Sequence, residues 1–165
     1  GRSRVFMDIE VGTWREWNPD ESLEWHLAHQ PMHGGLHFFV QQLGELYRAH
    51  SALWRNDHDP SGFQWIDVSD RENSVFSYVR RDGDQQVVVV LNMTPIPRDD
   101  YRIGSPEAGT WVQILSSDDP RFGGSGYNAR TEVTTDPSPF HGFPQSMRLN
   151  LPPLGGLVLA QRPER

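Results

Sequence analysis

The stretch that decides the fold is Ser74–Thr94, SVFSYVRRDGDQQVVVVLNMT. Val75, Phe76, Tyr78 and Val79 make one β-branched and aromatic run, and Val87-Val88-Val89-Val90-Leu91 makes another. Asp82-Gly83 lies between them. An Asp-Gly step between two such runs predicts a hairpin, because both residues tolerate positive φ. The valine run has no polar gap, so it predicts a strand covered on both faces. The chain after this pair is expected to assemble around it as a β-sandwich, whereas the chain before it follows a different pattern.

Beyond Gly62 turn signals recur at the spacing of a sandwich or barrel. Phe63–Asp67 alternates as a strand. Pro95-Ile96-Pro97-Arg98 must leave the sheet, since proline cannot donate to a ladder. Further strands are predicted at Tyr101–Ile103, Gly109–Leu115, Thr131–Thr134, Ser146–Leu151 and Gly156–Ala160. The loop Ser116–Asn128 carries Gly123-Gly124-Ser125-Gly126, which lacks the lysine and the strand-loop-helix setting of a phosphate cradle.

Upstream, Arg4–Val11 is a short apolar run with acids entering near its end, and it predicts a strand that stops at Gly12. Ligands sit at the C-terminal ends of strands in α/β enzymes, but an ordinary edge strand with solvated acids reads the same way. Trp14 and Trp17 flank Arg15 and Glu16. Their indoles can stack on sugar rings or can pin the loop to the body of the protein. Asp20 is placed to cap a helical turn over Glu21–Leu27. From Leu36 to His50 the spacing of Leu36, Phe39, Val40, Leu43, Leu46 and Tyr47 predicts a helix with one apolar stripe, which reads as core packing. His33 and His37 stand four apart, as metal ligands on a helix can. No third ligand is evident and no metal is assigned. Asp57 and Asp59 lie in a polar breaker cluster without the rest of a calcium loop. The domain boundary is expected there, with 1–56 before it and 57–165 after it.

The chain has 165 residues, no cysteine and a formal net charge of −7. Disulfides and thiolate metal sites are excluded, which fits a cytoplasmic protein. The acidic balance disfavours nucleic acid and anionic membrane as partners, since phosphate binding needs clustered cations. No apolar run is long enough to span a bilayer, and no stretch has the order of a signal peptide.

A family resemblance emerges from many segments in order. Phe6-Met7-x-x-Glu10, Trp14-Arg15-Glu16-Trp17-Asn18 and Ser22–Leu27 are followed by Gly62–Ile66, Asn73-Ser74-Val75 and Tyr78–Arg81. Asn92–Arg98, Tyr101-Arg102, Gly123–Gly126, His141-Gly142, Ser146–Leu149 and Leu151–Leu154 complete the series. Together they resemble the C-terminal portion of bacterial 1,4-α-glucan (glycogen) branching enzymes, members of the α-amylase superfamily. The resemblance implies a mainly β chain. A C-terminal all-β sandwich would be preceded by the last strand, tryptophan loop and closing helix of a (β/α)8 barrel.

The resemblance also implies where the chemistry lies. Branching is retaining transglycosylation: a carboxylate opens an α-1,4 link, and a sugar 6-hydroxyl attacks the glycosyl-enzyme. The family's reacting carboxylates come from earlier barrel strands and would precede Gly1. No catalytic residue is therefore assigned here, no cofactor is implied, and the chain alone is expected to be inert. Glu10, Trp14 and Trp17 are the residues expected nearest the glucan cleft, shaping subsites rather than breaking bonds. Asp8, Ile9 and Val11 depart from the family's usual Met-Gly-x-Glu-Phe run: Asp8 puts a side chain where the backbone normally passes close to the site, and Val11 replaces an aromatic. The expected partners are α-glucan, the missing catalytic barrel and, through residues 1–12, a second copy. Unpaired strand edges explain that last expectation, with disorder or docking on the sandwich as the other outcomes. Two other readings stand beside this one: a free-standing β-sandwich carbohydrate-binding module, and an interaction domain with no ligand.

Overall fold

A computed structural model describes residues 9–16, 18–128 and 130–162. The expectations for residues 1–8, including most of the predicted first strand and the self-association through 1–12, lie outside the described residues.

The strands are β1 (Phe63–Asp67), β2 (Val75–Asp82), β3 (Gln85–Asn92), β4 (Arg98–Ser105), β5 (Thr110–Ser116), β6 (Glu132–Thr134), β7 (Gln145–Leu151) and β8 (Gly156–Gln161). Six of them form one antiparallel sheet in the order β1-β2-β3-β8-β5-β6, and β4 pairs with β7 as a separate ribbon. The chain is mainly β, and its core lies between sheet and ribbon. Val75, Val79, Val88, Val90, Trp111, Leu157 and Leu159 from the sheet meet Ile103, Met147, Leu149 and Leu151 from the ribbon.

The hairpin forms where the sequence predicts it, and the valines of β3 are covered on both faces. Val88 and Val90 enter the main core, while Val87 and Val89 face outward against Ala52. The turn sits one residue later than expected. Asp82 still pairs with Gln85, so the turn residues are Gly83 and Asp84, and only Gly83 has positive φ, at 55°. Asp82 is held in the strand by Ser51, whose hydroxyl donates to its carboxylate, and by Arg55 at 3.5 Å. Gln85 accepts from Ala52 N–H at 2.9 Å, so the segment after the helix is tied to both sides of the turn.

Two β-bulges decide which side chains face which way. In β5 the register shifts between Gln113 and Leu115, so Trp111 points into the core while Leu115 lines the outer face of the sheet. Unbroken alternation would have put both on one face. In β1 the shift between Trp65 and Asp67 brings Asp67 opposite Ser77, on the core side of the sheet edge.

Before the sheet the chain is helical, and here the expectations need correction. Ile9–Val11 is a single 3-10 turn, closed by Gly12 N–H donating to Ile9 O at 3.2 Å, and not the end of a strand. Asp20 does not head the helical turn: the 3-10 turn begins later, at Trp25–His29, with Glu24 in the N-cap position. The helix α1 runs Pro31–Ala49 and so starts five residues earlier than predicted, with proline in its first turn, where its missing N–H costs nothing. Gly34 and Gly35 lie inside it because of close approaches. A Cβ at Gly35 would stand 2.6 Å from Phe122 O, and one at Gly34 would stand 2.9 Å from Ala28 O. β4 is longer than the Tyr101–Ile103 expected, because it resumes at Arg98 directly after the prolines, with Asp100 at φ 50° in an irregular register.

Candidate functional site

Of the three residues expected at a glucan cleft, Glu10 and Trp14 are described; Trp17 lies outside the described residues. The 3-10 turn at Ile9–Val11 rests on α1. Val11 is fully buried, and its carbonyl accepts from His33 Nδ1 at 2.8 Å, which requires the proton on that nitrogen. A Cβ on Gly12 would come within 3.0 Å of Leu36, so the loop lies directly on the first turns of the helix. Glu10 is half-buried, and one of its carboxylate oxygens is enclosed without a hydrogen-bond partner among the described residues.

Trp14 projects outward, 77% exposed, its ring edge-on to His33 at 5.3 Å. Among the described residues it meets the His33 ring, and most of the indole is left in solvent. The loop is shaped by Glu24, which accepts from the Thr13 hydroxyl and from Trp14 N–H and faces Arg15 at 3.6 Å. The Thr13 hydrogen bond is the main reason its carboxyl is held below the usual range. Nothing in sequence spacing distinguishes Glu24 from its acidic neighbours; the Thr13–Glu24 pairing depends on the loop's path.

The other candidate chemistries dissolve in structural roles. His33 is spent on Val11 O, and His37 Nε2 accepts from Gln41 at 2.9 Å. Among the described residues, no group of three His, Asp or Glu gathers as a metal site. Asp57 pairs with the Arg80 guanidinium, while Asp59 caps the turn at Pro60–Gly62 by accepting from Ser61 N–H at 2.8 Å. The glycine run wraps a carboxylate rather than a phosphate. Asp118 accepts from Ser125 N–H, the Ser125 hydroxyl and Tyr127 N–H, each at 2.8 Å. Burial pushes the Asp118 carboxyl up, but these bonds outweigh it and hold the group below its ordinary value.

Sequence reasoning did not foresee two clusters. On the outer face of the sheet edge, Phe63, Trp65 and Tyr78 stand with ring centroids 5.0 to 5.8 Å apart, and Trp65 is 47% exposed. Phe63 and Trp65 alternate along β1, and Trp65 pairs with Tyr78 across the strands, so the signal was present in the register once the hairpin was placed. At the end of the sandwich, Asp67 accepts from Ser69, Asp70 accepts from Asn73 and from the Tyr101 hydroxyl, and His141 Nε2 faces Asp67 at 3.6 Å. Burial, reinforced by Asp70, pushes the Tyr101 phenol far above its usual value. His141 and Gly142, both at positive φ, form a tight hairpin closed by reciprocal Phe140–Phe143 hydrogen bonds. That hairpin presses on Gly104, where a Cβ would lie 2.4 Å from Phe140 O.

The fold and these loops have counterparts. The alpha amylase C-terminal all-beta domain matches residues 65–162, more than half of the chain, and the chain belongs to that family. Its similarity to curated proteins is more particular. It is 46% identical over 160 residues to the 1,4-alpha-glucan branching enzyme GlgB of Pseudomonas syringae pv. syringae (strain B728a), covering 96% of this chain and 22% of that protein. It is 47% identical over 159 residues to GlgB of Salinibacter ruber (strain DSM 13855 / M31), covering 96% of this chain and 25% of that protein. The corresponding figures for Aquifex aeolicus (strain VF5) are 41% over 161 residues, 96% and 26%. The chain thus spans about a quarter or less of the length of these relatives.

Proposed function

We propose that the chain is the C-terminal portion of a 1,4-α-glucan branching enzyme, a cytoplasmic glycosyltransferase that makes α-1,6 branches in glycogen. Residues 1–56 complete the catalytic barrel, and residues 57–165 are the sandwich that braces it. The observation that carries this reading is the alignment to branching enzymes through 96% of the chain, tryptophan loop and helix included. A free-standing carbohydrate-binding module would have no use for that upstream segment.

The reacting carboxylates belong to the part of the enzyme outside this chain. In support, three of the enclosed acids here are committed elsewhere: Asp57 to Arg80, Asp70 to Tyr101 and Asn73, Asp118 to Ser125 and Tyr127. A retaining glycosidase site needs two carboxyl groups about 5 Å apart with a sugar between them. Carboxylates already satisfied by structural donors are poor candidates for that work. Glu10, Trp14 and Trp17 shape the glucan subsites. The exposed Trp14 ring offers an apolar face to a pyranose.

The test has two arms. The purified 165-residue chain should show neither branching nor hydrolysis of amylose, and measurable turnover would refute the assignment. In the full-length enzyme, Trp14→Ala and Trp17→Ala should raise KM for glucan severalfold with little change in kcat. Unchanged kinetics would remove both residues from the subsites.

A further inference from the structure

Glu24 stands directly before the 3-10 turn Trp25–His29, at a position whose side chain often caps the turn that follows. It makes no such bond. Its carbonyl accepts from Leu27 N–H at 2.9 Å, and Leu27 is buried, so the backbone of Glu24 rests on a fixed base. The carboxylate turns back to the tryptophan loop instead. Oε2 accepts from the Thr13 hydroxyl and from Trp14 N–H at 3.3 Å, and Oε1 faces the Arg15 guanidinium at 3.6 Å. The Thr13 hydroxyl in turn accepts from Arg15 N–H at 3.3 Å. Resting on the reading of Trp14 as part of a glucan subsite, we propose that Glu24 is a positioning residue for the branching reaction. By holding the backbone at Thr13 and Trp14, it sets the direction in which the Trp14 indole meets a sugar ring.

Glu24 differs from the other acid that meets Arg15. Its side chain is 15% exposed, whereas that of Glu21 is 58% exposed, so Glu24 is the one enclosed by the loop it binds. The loop is also held from its other side, since His33 Nδ1 donates to Val11 O at 2.8 Å. Gly12, at φ 63°, is the single residue between the anchors at Val11 and Thr13, which leaves the segment little slack. The Trp14 ring itself is weakly held: it lies edge-on to His33 at 5.3 Å and is otherwise largely in solvent. Its aim therefore depends on the backbone that carries it. A stacking face held in place before the sugar arrives binds better than one that must be ordered on binding. Such a face favours bound substrate and transition state alike, so its loss falls on KM and spares kcat.

The test is a double-mutant cycle in the full-length enzyme, with KM and kcat measured on amylose. Glu24→Ala should raise KM by about three- to tenfold, with kcat changed by less than about twofold. Glu24→Gln keeps one oxygen that can accept from Thr13 or Trp14, and its KM should fall between those of Glu24→Ala and the unaltered enzyme. Thr13→Val deletes the hydroxyl, keeps the side-chain shape and should also raise KM. In a Trp14→Ala background Glu24→Ala should add nothing, because its effect passes through that ring. The thermal midpoint should hold in every variant. A full further rise of KM in the Trp14→Ala background would overturn the proposal, since Glu24 would then act elsewhere. A joint fall of kcat and thermal midpoint in both Glu24→Ala and Thr13→Val would overturn it as well, making the pair a prop of the fold. A KM shift on Trp14→Ala with none on Glu24→Ala would overturn the positioning role and leave the subsite reading standing. An unchanged KM on Trp14→Ala would remove the subsite reading and this proposal with it.

Discussion

Strand β3 and helix α1 both carry apolar side chains in a regular pattern, and only β3 buries them. Val87, Val88 and Val90 are fully buried, whereas the one buried residue of α1 is Gly35. The strand finds its neighbours within this chain: β2 across a tight turn, and, from far along the sequence, β8 on its other edge and the ribbon above. The helix stripe faces a groove between helix and sheet. An amphipathic pattern thus states that a face will be covered, but not that the covering partner lies in the same stretch of chain.

The contrast can be broken by substitution, beginning with the largest effect. Trp111→Ala empties the centre of the sandwich and should cost about 3–5 kcal/mol in urea unfolding. A loss below 1 kcal/mol, as a rough bound, would mean that the sandwich is not where the stability resides. Gly104→Ala drives a methyl group into the Phe140–Phe143 hairpin and should cost about 2–3 kcal/mol. A neutral result would show that the hairpin lifts off without consequence.

Acidification sharpens the comparison, because its groups sit in the sandwich. Burial lowers the His141 pKa, and Asp67 and Asp70 only partly oppose this. The unfolded chain then takes up the proton at a higher pH than the folded one, so stability falls as pH drops below the ordinary histidine value. For Asp67 and Asp70, burial raises the pKa, but hydrogen bonds from Ser69, Tyr101 and Asn73 outweigh it. Their contribution is present above the ordinary carboxylate range and is lost as pH falls through and below it. The urea midpoint should therefore decline in two stages. His141→Asn, which tolerates the positive φ of that position, should shrink the first stage, to which burial of His50 also contributes, and spare the second. An unchanged first stage would assign it to another group. The smallest effect is expected at the helix. Leu43→Ala should change the stability of this chain by less than about 1 kcal/mol, because the side chain has little burial to lose. A cost comparable to Trp111→Ala would show the groove closed in solution.

How much was legible follows the same division. The hairpin, the doubly covered valines and the ladder of short strands were read from alternation and turn residues, which are local. The two bulges were not, since Trp111 and Leu115 look equivalent until β8 pairs with β5 and shifts the register. The predicted helix start at Leu36 leaves out Gly34 and Gly35, which lie inside the helix where Ala28 and Phe122 press close from elsewhere. His33 read as a possible metal ligand because spacing along a helix says nothing about the carbonyl that would claim its proton.

By itself the sequence determined the class of fold, the central hairpin and the kinship with branching enzymes, because periodicity and the order of segments are properties of the chain alone. Tertiary structure alone decided that the glycine loop cages Asp118, that Asp67 meets His141, and that the helix stripe opens onto a groove. Each of these depends on which distant surface arrives, and a hydrogen bond or an apolar contact is made in space, whatever the distance along the chain.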